Sequence, residues 1–386
     1  DVCTVSPPPS SCTLSASSIH LPETGGGSAD DAVSCSASDS CTAGVCGGGT
    51  PVAGCVEPYL GFWIKAPGKD ANRQDIPGHV LPKNFAFTLN DVNIDDGDSD
   101  DPENFALRRV RSLLNAAATN GGGAPATPDL HYIRYQISHG REGVAPAGAN
   151  GRYPRPARHM RRVWQLENEF GTLNVRSLRT ESLLVPAAAS EAGSPPDPGD
   201  ATHFTCYRVV ATRDVTDQAP DRGNGNASFR RDLQLFVSYD FFGECTVSRD
   251  GATPNFSGTP VEGDCLFDLL KPDELCNPSD KTAVEGDRVT SAVIDESTAS
   301  ATQSLLCYRA RRAGRLEHAT AAALAGGSVG DRIVPPQSRH TKRRVRFGDE
   351  IFTTPGNQFP APVRVDTQGD WAACIPTTVT GVTIEP

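Results

Sequence analysis

The chain has almost no methionine and little lysine. Met160 is the single methionine in 386 residues, and six lysines stand beside thirty arginines. Aromatic residues make up 6% and the hydrophobic set 37%, both low for a globular chain. No run approaches the roughly 18 consecutive apolar residues that a membrane helix requires, so no helical membrane span is expected. The net charge of −11 argues against a nucleic-acid binder, which needs a positive surface. The eight histidines are scattered, with no H-E-x-x-H and no pair at metal spacing. G-x-S-x-G, P-loop and G-x-G-x-x-G patterns are missing too, so the sequence carries no catalytic signature and no enzyme is expected.

Other features are abundant. Gly (37) and Pro (31) assign much of the length to loops and turns. The length itself suggests two to four domains. The excess of Arg over Lys, with the Ala, Gly and Pro bias, matches a GC-rich bacterial genome. Twelve cysteines, an even and dispersed set, suit disulfides in an oxidising compartment. The chain opens at Asp1, which leads to the expectation of a mature secreted or cell-surface protein whose signal peptide has been removed.

Residues 1–56 form a distinct Cys-rich segment. Cys3, Cys12, Cys35, Cys41, Cys46 and Cys55 are separated by Ser, Thr, Gly and Pro. Such a segment buries too little to offset its chain entropy, so disulfides must hold it, in any of fifteen connectivities.

The rest repeats itself. An apolar-Tyr strand occurs as HYIRYQIS at 131, HFTCYRVV at 203 and LLCYRARR at 305. An Arg-rich entry into an alternating strand follows each: RHMRRVWQLENEFG at 158, FRRDLQLFVSYDFFG at 229 and RHTKRRVRFGDEIF at 339. A third strand ends each copy on a Pro-containing turn: LLVP at 183, LCNP at 275 and CIP at 374. A worn copy precedes them, with YLGFWIK at 59, NFAFTL at 84, and SLLNAAAT at 112 resembling SLLVPAAAS at 182. A helix over 103–118 competes with that last strand, since Glu comes early, Arg later and the spacing is Ala-rich. Period-2 alternation and Gly/Pro punctuation give the fold class: all-β, as tandem disulfide-stapled β-sandwich-like modules. The expected units are a degenerate copy at 57–125, copy 1 at 126–198, copy 2 at 199–300 and copy 3 at 301–386.

The repeats also predict disulfides. Copy 2 has Cys206 before its Tyr and Cys276 before its Pro; copy 3 has Cys307 and Cys374 in those places. Copy 1 has Arg134 and Leu184 instead. Cysteines that are present together and absent together behave as bonded pairs, so Cys206–Cys276 and Cys307–Cys374 are expected. Cys245 and Cys265 lie in an insert specific to copy 2 and are expected to bond to each other. A catalytic thiol would need a paired His, and the sequence places none beside these cysteines.

Cys-Tyr-Arg-Val, then a strand into Phe-Gly, then Leu-Cys-x-Pro resembles a domain of unknown function found in tandem in secreted bacterial proteins. There it lies downstream of a Cys-rich stretch with CT-x-x-x-C, here SCTAGVC at 40–46. The resemblance covers residues 126–386. It implies a secreted β-domain and supplies no activity.

Several local features are candidate sites. In NDVNIDDGDSDDPENF, residues 90–105, the side chains of Asp91, Asn93, Asp95, Asp96, Asp98, Asp100 and Asp101 offer the dense oxygen ligands that Ca²⁺ takes. A solvated, self-repelling loop is the alternative. Basic stretches at 152–162 and 339–346 occupy equivalent repeat positions, fit a structural role, and suit head-to-tail contact with an acidic loop on a neighbouring subunit. Asn226 and Asn255 are glycosylation sequons. Trp63, Trp164 and Trp371 are candidate glycan platforms, with core packing the competing role for Trp164 and Trp371. The tail TTVTGVTIEP alternates Val382 and Ile384 with polar residues and suits strand addition to another subunit. These features lead to the expectation of a secreted structural protein, a self-assembling subunit of an extracellular filament or surface layer. The alternative is an adhesin or glycan-binding protein.

Overall fold

The computed structural model describes residues 56–65, 86–94, 103–119, 125, 127–139, 159–190, 201–212, 233–238, 264–283, 299–324, 327–333, 337, 340, 342–349 and 363–384, and the backbone of five short N-terminal strands. Those five are β1 (Gly27–Ser28), β2 (Ser36–Ala37), β3 (Ser40–Thr42), β4 (Val45–Gly47) and β5 (Thr50–Pro51). They pair as β1–β3–β4 and β2–β5, with Cys41 directly opposite Cys46.

All later strands belong to one 13-stranded antiparallel sheet. They are β6 (Tyr59–Lys65), β7 (Ala86–Asp91), β8 (Glu103–Ala116), β9 (Ala118–Thr119), β10 (His131–His139), β11 (Arg162–Asn168), β12 (Gly171–Ser190), β13 (His203–Thr212), β14 (Gln234–Ser238), β15 (Asp264–Ala283), β16 (Ser304–Arg312), β17 (Arg344–Asp349) and β18 (Val363–Ile384). The all-β expectation holds. Residues 103–116 are strand, and the helix alternative falls. The physical reason is burial on both sides: Leu113 and Leu114 are both enclosed, on opposite faces. Among the described residues the one helix is α1 (Ala319–Leu324), six residues in an Ala-rich stretch.

Eight of the strands close a ring. Each pairs with the next in the order β6, β8, β10, β12, β13, β15, β16, β18, and β18 returns to β6. The tandem copies are therefore staves of one barrel, each giving its first and third strands. The register repeats with the copies. Within them the facing pairs are Gly61–Leu114, Arg134–Leu184, Cys206–Cys276 and Cys307–Cys374. Between them the third-strand residue instead faces the position two earlier: Leu114–Tyr132, Leu184–Phe204, Cys276–Leu305 and Cys374–Tyr59. That stagger tilts the strands, as closure requires.

The middle strands β7, β11, β14 and β17 lie outside the ring. Each pairs with the third strand of its own copy and with the far end of the third strand diagonally opposite. Thus β7 reaches β15, β11 reaches β18, β14 reaches β9 just after β8, and β17 reaches β12. The third strands run straight through their prolines, where turns were expected. At Pro186, Pro278 and Pro376 one neighbour has been left and the next not yet met. The last pairs on that side are at Leu184, Cys276 and Cys374, and the next begin at Ala187, Ser279 and Thr378. A missing N–H costs little where no ladder pair calls for it; at Pro278 only the carbonyl is used on that side, accepting from the Val92 N–H at 3.1 Å.

Two cores result. Arg134 contacts side chains on strands three places away in both directions round the ring, so its side of the wall is the lumen. In phase with it are Tyr59, Leu114, Tyr132, Leu184, Phe204, Leu305 and both cysteine pairs, one buried cluster drawn from all four copies. The opposite phase, including Leu60, Phe62, Tyr135, Tyr207 and Tyr308, packs against Leu89, Trp164, Leu235 and Phe347 of the middle strands.

Candidate functional site

The barrel lumen holds the most unusual side chains. Cys206–Cys276 and Cys307–Cys374 are disulfides, closing loops of 70 and 67 residues. Both cross between directly facing residues of adjacent staves and are fully enclosed. At the equivalent place in copy 1, Arg134 spans the lumen to Glu274 in a bidentate ion pair. Ser182 Oγ donates to Glu274 at 2.9 Å and accepts from Arg134 Nε at 3.0 Å. The guanidinium stacks 4.5 Å above the Trp371 ring. In the degenerate copy the place falls to Gly61, and a Cβ there would stand 2.7 Å from Trp371 Cε3, so glycine admits the indole. Tyr59, Tyr132 and Phe204 add edge-to-face contacts of 5.1 and 5.5 Å. Burial pushes the Tyr59 and Tyr132 phenols above their ordinary range, so both stay neutral.

The other two residues of the repeated Cys-Tyr-Arg have separate tasks. The tyrosine points outward, to a middle strand of another copy: Tyr207 lies against Trp164 of the neighbouring copy 1, 6.1 Å between ring centres, and the other two reach the copy diagonally opposite. Tyr308 Oη accepts from Asn168 Nδ2 at 2.9 Å, and Tyr135 Oη donates to Asp349. The arginines converge: Arg208 and Arg309 both pair with Asp273, buried on the intervening β15 where the register shifts.

Cys206, Cys276 and Glu274 lie close enough together to suggest a metal cluster. Their chemistry rules it out, because the sulfurs are spent on each other and the carboxylate on Arg134. Cys265 is buried and disulfide-bonded. Cys245, Cys3, Cys12, Cys35 and Cys55 lie outside the described residues, as do Asn226 and Asn255.

Of the acidic loop, only the two ends, 90–94 and 103–105, are described. Asp91 Oδ1 accepts from the Asn93 backbone N–H and Oδ2 from Asn277 Nδ2, both at 2.8 Å. Asn93 Nδ2 donates to Ser304 Oγ. These two side chains lock the β7 end against β15 and β16. Asp95, Asp96, Asp98, Asp100 and Asp101 lie outside the described residues. Trp164 and Trp371 are buried and present no face to a ligand. Trp63 is half-buried against Trp371 at 5.6 Å. Within the basic stretches, Arg344 pairs with Asp366 on the next strand, and the buried Arg162 packs beside Ser177. The tail 378–384 pairs with β11 of its own chain.

No family model, curated protein or solved structure matches the chain. Among the described residues, no helix is long and apolar enough to cross a membrane.

The sequence marked the cysteine pairs. It gave no sign of Glu274 or Asp273, whose partners are far off in sequence and, for Arg134 and Arg309, on other copies, although Arg134 in a cysteine's place was a usable signal.

Proposed function

We propose that the protein is a secreted structural subunit that assembles into an extracellular filament or surface layer. The observation that carries this is the filled lumen. Where a transport or binding barrel keeps a cavity, this one holds two disulfides, a cross-lumen ion pair and four large aromatic side chains. Such a barrel is a rigid building block. Buried disulfides suit an oxidising compartment, and the resemblance to a tandem secreted domain supports the same location. Electron microscopy of the purified native protein tests assembly: ordered filaments or sheets are expected, and monodisperse monomers at high concentration, with and without Ca²⁺, would reject it.

Calcium at the acidic loop belongs to the same reading. Asp91 and Asn93 are already engaged, so most ligands would come from Asp95–Asp101. A chelator should lower the melting temperature, and an unmoved value would count against the site. Half-buried Trp63 favours a second reading, glycan binding. A glycan array on which Trp63→Ala binds as well as the parent would dismiss it.

A further inference from the structure

The C-terminal strand differs from the rest of β18. Residues 371–375 are all buried, whereas none of 378–384 is, and Val382 and Ile384 are 40% and 42% exposed. This stretch is held by one ladder, from Arg162–Ile384 to Glu167–Thr378. Just before it, at Pro376 and Thr377, the strand has left β6 and is paired with β16 alone. Val379 alone of the segment packs against the main core, so the segment is held by that side chain and by backbone bonds along one side, next to a position where two ladders change over. Elements with few buried contacts open at the least free-energy cost.

We propose that residues 378–384 are an exchangeable strand, and that in the assembled protein they occupy the β11 edge of a second copy of this chain. The acceptor is defined by what it already holds. The β11 edge takes this sequence in a fixed register, so a neighbour's tail finds the same bonds, and only the connection at 376–377 has to change course. Such an exchange closes a two-fold dimer when two chains reciprocate and propagates a head-to-tail filament when they do not. This inference rests on the assembly reading and names its contact.

Gln165 and Gly381 face each other across the ladder, and a Cβ built on Gly381 lies 3.7 Å from Gln165 Cβ, within the span of a disulfide. The test mixes full-length Gln165→Cys with full-length Gly381→Cys under mild oxidation, then maps peptides without reduction. Expected is a covalent dimer linked between positions 165 and 381. The double variant, with both substitutions in one chain, is the control for geometry. A double variant that links within its own chain while the mixture gives no interchain link overturns the exchange. A double variant that forms no link at all overturns the register, and the proposal with it. Electron microscopy of the parent separates this outcome from the broader reading. Filaments without the link leave assembly standing and remove the exchange; linked dimers without filaments do the reverse.

Discussion

Arg134 and Glu274 carry opposite charges inside a wall of side chains. Removing one partner leaves the other charged and enclosed, which typically costs about 3–5 kcal/mol. Arg134→Met should therefore lower the urea midpoint sharply. Adding Glu274→Gln should recover most of the loss, because Ser182 can still donate to the amide oxygen. A double variant no more stable than the single one would show that the charge pair is not what Arg134 contributes. His131, the first residue of the same stave, titrates in the other direction from a paired histidine. Burial lowers its pKa from 6.5 to about 4, against the smaller pull of Asp129. The folded state thus resists a proton that the unfolded chain accepts, so stability is fully present above pH 6.5 and declines as pH falls toward 4. The loss reaches roughly 3 kcal/mol at about 1.4 kcal/mol per pH unit. Denaturant midpoints at pH 7 and pH 4.5 measure it, and the difference should shrink in His131→Asn.

At the scale of elements, each third strand is one continuous ribbon serving up to four neighbours, with its proline at the gap between two of them. The repeated register predicts where a further staple fits. Arg134 and Leu184 face each other as the cysteine pairs do. Arg134→Cys with Leu184→Cys and Glu274→Gln should form a further lumen disulfide, worth up to about 4 kcal/mol in the chain-entropy model. Gly61→Cys with Leu114→Cys should destabilise instead, because Trp371 fills that space. Mass spectrometry and denaturant melts of both sets decide the matter. The cysteine pairs were legible in the sequence because bonding partners appear and vanish together, and the strands were legible from their period. The passage through Pro186, Pro278 and Pro376 was not, since a proline marks a missing N–H and cannot say whether that edge faces a neighbour. Closure of the ring was equally hidden. It depends on the pairing between copies, and above all on β18 meeting β6, strands separated by most of the chain.

For the whole molecule, a shared lumen means shared stability. The buried clusters of both phases draw on all four copies, so no copy can unfold and leave the others a closed core. Thermal or denaturant unfolding of 57–386 should be one transition, and removing a staple should move it without splitting it. For Cys206→Ala with Cys276→Ala the shift corresponds to roughly 4 kcal/mol, the chain-entropy value for a loop of this length. Reduction offers a stricter test. The sulfurs of both lumen staples are enclosed on every side, so a thiol reagent reaches them only when the barrel opens. In native buffer their reduction should be slow, independent of reagent once reagent is in excess, and matched to the opening rate seen by amide hydrogen exchange in β13 and β16. Fast reduction with an unchanged β-sheet circular dichroism spectrum would mean that the lumen admits solvent. In that case the barrel would no longer count as a solid building block, and the structural reading of the protein would lose its main support.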